Sequence, residues 1–167
     1  MGTVDRISRR WARWVVFAGV NVGLVLSIAD ALTARAACQT VRGKFTIQIV
    51  TGPECQAPAG LCGIGTYIGG LSGASTFAAS SVVPSADTPT TGVVAVTGDF
   101  SLDTRRGTLF TKDAIMLRTI GGGEFAEVDT VVGGTGDFAG ASGVIRGTGT
   151  STATTVDGDY AGEICTP

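Results

Sequence analysis

The amino-acid sequence predicts an all-β protein: a single eight-stranded antiparallel closed β-barrel that follows an N-terminal signal peptide. From residue 37 onward, short runs rich in valine, isoleucine and threonine alternate with turn residues, which is typical of an all-β chain. Glycines lie inside the strand segments from Gly65 to Gly149, where they suit a sheet that bends sharply or closes on itself. Closure also removes exposed sheet edges, so a barrel is favoured over the alternative, a two-sheet sandwich.

Residues 1–36 have the organisation of a secretory signal peptide. Arginines precede an apolar run from Trp14 to Ala29, and Ala34 and Ala36 form a small-x-small exit. A retained membrane anchor is the alternative, because the run approaches the roughly 17 residues of the shortest spanning helices. The exit motif favours the signal peptide, with cleavage after Ala36, and the arginines leave ordinary and twin-arginine export both open. We therefore expect a secreted or periplasmic barrel domain over residues 37–167.

Eight strands can be read between the turn signals. They cover residues 39–50, 64–71, 73–83, 92–102, 108–119, 124–133, 142–154 and 158–165. The first strand alternates cleanly, since Val41, Phe45 and Ile47 share one face and polar side chains take the other. The second strand places Tyr67 between glycines, and the fourth strand alternates as the first does.

The fifth and sixth strands carry most of the polar candidates. Lys112 and Arg118 favour an outward face of the fifth strand, which turns Asp113 toward the interior. On the sixth strand Glu127 and Asp129 share a face with apolar neighbours. A solvated outer face is the favoured interpretation of these two carboxylates, and an interior position is the alternative.

The turns between strands are also legible. Three glycines at 121–123 join the fifth and sixth strands, and the Asp157-Gly158 pair predicts a short hairpin before the last strand. A longer polar loop with two prolines lies at 84–91.

The stretch VVGGTGDFAGASG, residues 131–143, is rich in glycine. A phosphate-binding loop would precede a helix and carry a basic residue, whereas here a strand follows and Asp137 would repel a phosphate. We expect instead a tight connection in which glycines adopt positive φ and Phe138 plugs one end of the barrel.

The same residues resemble the Gly-Gly-[Thr/Ala]-Gly-x-Phe-x-Gly-Ala-x-Gly signature of allene oxide cyclases, and plant dirigent proteins have a closely similar motif. The matching positions are Gly133, Gly134, Thr135, Gly136, Phe138, Gly140, Ala141 and Gly143. The closing YAGEICTP is similar to the end of bacterial secreted proteins with such a barrel. The resemblance covers residues 38–167 and implies an eight-stranded antiparallel barrel. The motif marks a structural corner of such a barrel, so it says little about function.

The resemblance also implies homotrimers and, if the protein is an enzyme, a cyclase-like or isomerase-like activity without a metal. Plant allene oxide cyclases place a catalytic glutamate on the first strand. Here that strand, CQTVRGKFTIQIV, has no acid and the nearest is Glu54, so the family's catalytic residues are not carried over and the catalytic residues are unknown.

All four cysteines lie after the predicted signal peptide, which indicates two disulfides in an exported chain. In an up-and-down barrel the first and last strands pair antiparallel, so Cys38 and Cys165 come together, within the roughly 4.4–6.8 Å between Cα atoms of a disulfide. Cys55 and Cys62 then bracket a short loop and pair locally.

Composition limits the partners of the mature part. Acids outnumber lysine and arginine from residue 37 onward, which excludes nucleic acid as a partner. Histidine and a C-x-x-C pair are both absent, which argues against a zinc site at the cysteines, and we expect no metal and no cofactor. No membrane contact is expected after signal cleavage.

Three functions fit a secreted barrel of this kind. The lumen would bind an apolar small molecule and guide its cyclisation or coupling, or would bind such a ligand without catalysis, or would be filled and structural. Tyr67, Asp113 and Glu127 are the candidate ligand-binding residues, although packing between glycines is the favoured interpretation of Tyr67. An interior carboxyl in an apolar lumen would have a raised pKa and could act as a general acid.

Overall fold

A computed structural model of the protein describes residues 37–167, in which eight antiparallel strands form a closed barrel in chain order. The predicted signal peptide and its cleavage site lie outside the described residues. The strands are β1 (Ala37–Thr51), β2 (Leu61–Gly69), β3 (Gly73–Pro84), β4 (Val93–Thr104), β5 (Gly107–Arg118), β6 (Glu124–Gly134), β7 (Ser142–Ser151) and β8 (Thr155–Thr166). Short helical turns occupy Gly52–Glu54, Thr88–Thr91 and Gly136–Phe138. The described residues include no helix of the length and apolar character that crossing a membrane requires.

The barrel closes where β1 pairs with β8, from Ala37 opposite Thr166 to Gln48 opposite Thr155. This confirms the predicted closed barrel and excludes the sandwich. Both predicted disulfides are present, Cys38–Cys165 and Cys55–Cys62. The Cα atoms of Cys38 and Cys165 are 3.9 Å apart, closer than expected, and the two residues lie directly opposite each other in the β1–β8 ladder.

One end of the barrel, called here the sealed end, is formed by the β2–β3, β4–β5 and β6–β7 connections. Phe138 enters it from the β6–β7 connection and is 1% exposed, which confirms the predicted plug. In the same connection Gly136 and Gly140 adopt φ of 58° and 71°, conformations that other residues rarely take. Leu71, in the β2–β3 turn, is buried beside the plug, and the Tyr160 hydroxyl accepts from its N–H and donates to its carbonyl.

The other end, called the open end, carries the remaining connections. One predicted turn is wrong there: the β7–β8 turn lies at residues 152–154, and Asp157-Gly158 lies inside β8. The Thr152 hydroxyl accepts the N–H groups of Thr154 and Thr155 and holds this turn. Gly158 serves packing instead, since a Cβ there would lie 2.6 Å from the Phe45 ring.

The lumen is filled from the sealed end by apolar side chains. A core cluster contains Val41, Phe45, Leu71, Leu102, Leu109, Phe138, Ile145, Tyr160 and Ile164, among others. Toward the open end the inward side chains are only partly buried, as for Ile47, Phe77, Leu117 and Val156. The interior is therefore close-packed at one end and accessible at the other.

Candidate functional site

Three carboxyl side chains point into the middle of the barrel from β5 and β6. Asp113 lies directly opposite Asp129 in the β5–β6 ladder, and Glu127 lies opposite Ile115. Asp113 is 7% exposed and Asp129 6% exposed. The predicted inward position of Asp113 is therefore confirmed.

The favoured interpretation of Glu127 and Asp129 as residues of a solvated outer face is wrong. Strand β6 keeps Phe125 and Val131 buried, and residues two positions apart in a strand share a face, so both carboxyls follow these apolar neighbours inward. The space for Glu127 comes from β7, where a Cβ on Gly147 would lie 2.1 Å from Glu127 Oε1. A glycine opposite the carboxyl thus gives it a place inside the barrel.

A cavity of about 90 Å³ lies between these carboxyls and the open end. Its wall is mostly apolar and includes Phe45, Ile47, Ile49, Leu61, Tyr67, Phe77, Val96, Phe100, Ile115, Leu117, Phe125 and Val156. Asp113 and Glu127 are the two carboxyl side chains of that wall. The volume is smaller than the roughly 150 Å³ that holds a benzene molecule, so the lumen in this conformation fits only a few non-hydrogen atoms.

Tyr67 belongs to an aromatic group at the base of this cavity. Its ring stacks on Phe45 at 5.0 Å between centroids and lies 5.4 Å from Phe100 and 5.2 Å from Tyr160. Packing thus explains much of its position, as the sequence interpretation favoured, but its ring also lines the cavity. Tyr67 and the carboxyls Asp113 and Glu127 therefore share one site wall.

Burial inside the barrel raises the pKa of all three carboxyls, to about 6 for Asp113, about 8 for Glu127 and about 10 for Asp129. Repulsion from Asp113 adds to the effect on Glu127, and Glu127 and Asp113 together add to that on Asp129. A hydrogen bond from Thr111 holds the pKa of Asp113 lower. Burial, then the charge of Glu127, raises the pKa of the Tyr67 hydroxyl, so this group stays neutral.

The facing pair Asp113 and Asp129 is arranged to share one proton. The Thr111 hydroxyl donates to Asp113 Oδ1, and a side-chain hydrogen bond with Asp113 favours the protonated form of Asp129. Two carboxyls at such close range cannot both ionise, so the pair carries one charge near neutral pH. Asp129 Oδ1 is buried and has no hydrogen-bond partner among the described residues.

No basic side chain of residues 37–167 compensates these acids. Every lysine and arginine of this range is exposed: Arg42, Lys44, Arg105, Arg106, Lys112, Arg118 and Arg146. The ion pairs found there also lie on the surface, such as Lys44–Asp159 and Arg106–Asp137. The lumen is therefore an acidic interior without an internal counter-ion.

The lumen carboxyls do not form a metal-binding set. Within the described range, the residues whose ligand atoms approach within 4.8 Å as a group of three are Cys38, Glu163 and Cys165, and both sulfurs belong to a disulfide. The oxygens of Asp113, Glu127 and Asp129 do not come that close to one another as a group of three. This arrangement suits proton transfer or recognition of a ligand group better than coordination of a metal ion.

Sequence reasoning missed Asp129 as a member of the site, and it named Glu127 as a candidate while favouring an outer face for that residue. The available signal was the parity of β6, because Phe125, Glu127, Asp129 and Val131 occupy alternate positions. The low hydropathy of Glu127 and Asp129 favoured an outer face instead, since carboxylates are seldom fully buried unless paired.

Comparison with protein-family models, with curated proteins and with solved structures found no match to this chain. The resemblance to allene oxide cyclases therefore rests on the glycine-rich motif and the closing YAGEICTP, and stays a prediction.

Proposed function

We propose that this chain is a secreted or periplasmic barrel of the allene oxide cyclase-like type, which binds a small, largely apolar molecule in its lumen and guides its cyclisation or isomerisation. The observation that carries the proposal is the placement of Asp113 and Glu127 in the wall of an apolar cavity that opens at one end of the barrel. A purely structural barrel has no need of buried carboxyls, which cost stability unless another role retains them.

The chemistry follows from the protonation states of the two wall carboxyls. Near neutral pH Glu127 keeps its proton, because burial raises its pKa to about 8, and it can donate to a bound molecule as a general acid. Asp113, with a pKa of about 6, is then ionised and can take a proton from another atom of the same molecule. One proton enters and one leaves, so the product is an isomer of the substrate.

The carboxyl site of this chain differs in position from the catalytic site of the family that the chain resembles. Plant allene oxide cyclases carry their catalytic glutamate on the first strand, whereas here the acids come from β5 and β6. The apolar wall supplies shape, which holds a molecule of a few non-hydrogen atoms in a fixed orientation against the two carboxyls. Two disulfides are compatible with an extracellular or periplasmic location. The homotrimer remains part of the proposal.

Filling the cavity tests ligand binding directly. Val156 lines the open end and is partly buried, so Val156→Phe is expected to occupy the space that a ligand needs. The matched control is Val128→Phe, because Val128 is 46% exposed on the outer face of β6. The measurement is native mass spectrometry of protein purified from its own host, in search of a bound small molecule.

We expect a bound mass on the unmodified protein and on Val128→Phe, and its loss from Val156→Phe. Equal occupancy of all three proteins would place the ligand outside the lumen. A protein with no bound mass that also fails to bind small neutral probes such as n-butanol would favour the filled, structural barrel.

A further inference from the structure

We infer that the lumen selects a small amine, bound as its ammonium ion with the charged head against Glu127 and Asp113 and the apolar part toward the open end. This inference rests on the binding part of the proposed function, because it assigns the chemical class of a ligand that the lumen holds. Glu127 is ionised in that complex, whereas the proposed isomerisation uses its protonated form. Four features of the site lead to it.

The first feature is the sign of the interior. Two carboxyls, Asp113 and Glu127, line the cavity from adjacent strands, and Asp129 lies opposite Asp113, while every lysine and arginine of the described range is exposed. A ligand carboxylate placed at the base would add a further negative charge to a desolvated acidic site. An ammonium group instead supplies the counter-ion that the protein lacks.

The second feature is an unused acceptor. Asp129 is not part of the cavity wall but lies opposite Asp113 in the β5–β6 ladder, and its buried Oδ1 receives no hydrogen bond from residues 37–167. Buried acceptors are rarely left without a donor, and an unpaired one in a native structure calls for a missing partner. An ammonium has three donors and no acceptor, so against Glu127 and Asp113 it supplies donors to the wall carboxyls, of which Asp113 is paired with Asp129.

The third feature is the aromatic wall. The Phe45 ring stacks on Tyr67 at 5.0 Å and lies 6.1 Å from Phe125, and all three rings line the cavity. Aromatic faces attract cations, most strongly where water is excluded. The same rings bind the apolar part of the amine.

The fourth feature is size. The cavity of about 90 Å³ holds the ammonium head and a short chain, and a longer chain would extend through the open end. A small unbranched amine such as n-butylamine is therefore a suitable probe. It can be compared with n-butanol and n-butyrate, which have the same carbon chain and a neutral or negative head.

Proton balance gives the binding a distinct signature. When the ammonium binds, the protonated Glu127 carboxyl loses its proton to solvent, so one ion pair forms and one proton is released. The titratable groups around this carboxyl are Tyr67 from β2, Asp113 from β5, Asp129 from β6 and Tyr160 from β8, with Asp99 of β4 acting on Asp113 from outside. Asp113 is ionised near neutral pH and favours the bound cation by its charge, whereas Asp129 and the two tyrosines keep their protons.

The experiment is a calorimetric titration of the full mature protein with each probe near pH 7, in two buffers of different ionisation enthalpy. We expect n-butylamine to bind on the order of tenfold more tightly than n-butanol, with release of close to one proton, and n-butyrate to bind weakest. Glu127→Gln is expected to remove the preference for the amine while retaining n-butanol binding, which also shows that the variant is folded. Glu124→Gln, an exposed change on the same strand, is expected to leave the preference intact.

Tighter binding of n-butanol or n-butyrate than of the amine would overturn this inference and leave the lumen as a binding site. An amine preference that survives in Glu127→Gln would place the cation elsewhere and overturn it too. Failure of all three probes to bind would overturn both the inference and the proposed function.

Discussion

Replacing both Cys38 and Cys165 by serine is expected to lower the free energy of unfolding by about 4 to 5 kcal/mol. The bridge joins residues 127 positions apart and ties together the two strands that close the barrel. In the loop-entropy model a cross-link stabilises by restricting the unfolded chain, and the effect grows with the size of the loop. Chemical denaturation of the mature protein with each bridge removed in turn measures this effect.

The second bridge is the internal control. Cys55 and Cys62 are separated by 7 positions, so the same model gives a loss of about 2.5 kcal/mol for their double serine variant. We therefore expect the Cys38/Cys165 variant to be the less stable of the two. An equal or reversed order would show that the β1–β8 ladder does not need its bridge. It would also show that the Cys55–Cys62 bridge stabilises the protein by more than the length of its loop predicts.

The stability of the protein is expected to fall as pH rises from about 4 to 8, because buried carboxyls resist ionisation. A carboxyl whose pKa is raised on folding holds its proton where the unfolded chain has already lost it. The contribution of such a carboxyl to the free energy of unfolding is fully present below its unfolded pKa, near 4. This contribution is lost as pH rises toward the folded pKa, which is about 6 for Asp113 and about 8 for Glu127. Each such group lowers the free energy of unfolding by up to about 1.4 kcal/mol per pH unit.

Glu127→Gln is expected to flatten this dependence and to raise stability at pH 8 by several kcal/mol, since the amide never ionises. Glu124→Gln serves as the control on the same strand, and it should leave the slope unchanged because Glu124 is exposed. Urea denaturation across this pH range gives the slopes. A stability that rises with pH, or an identical slope in Glu127→Gln, would contradict the burial of this carboxyl.

Most of the fold could be predicted from the sequence because the determinants are local. Alternation in β1 placed Val41 and Phe45 inside, and the glycine-rich connection placed Phe138 at a barrel end. The pairing of Cys38 with Cys165 followed from strand order alone. These features depend on spacing and turn chemistry, which a single sequence displays.

The site was harder to predict because it depends on contacts between strands. Glu127 can lie inside only because Gly147 of the neighbouring strand leaves room, and that register is invisible in either strand by itself. The prediction of a turn at Asp157-Gly158 was wrong for a related reason, since Phe45 of β1 needs the space that Gly158 leaves. In both cases a glycine that looked like a turn or a weak strand position serves a side chain on another strand.

Glu127 faces a largely apolar lumen, and the titration of its own carboxyl tests this placement. Carbon-13 NMR of the side-chain carboxyl carbon, assigned by comparison with Glu127→Gln, follows its ionisation in the mature protein. The structure predicts a midpoint near the raised pKa of about 8, which moves lower when n-butylamine is added. A midpoint near 4, unchanged by the amine, would show that the carboxyl is in water and would contradict the account.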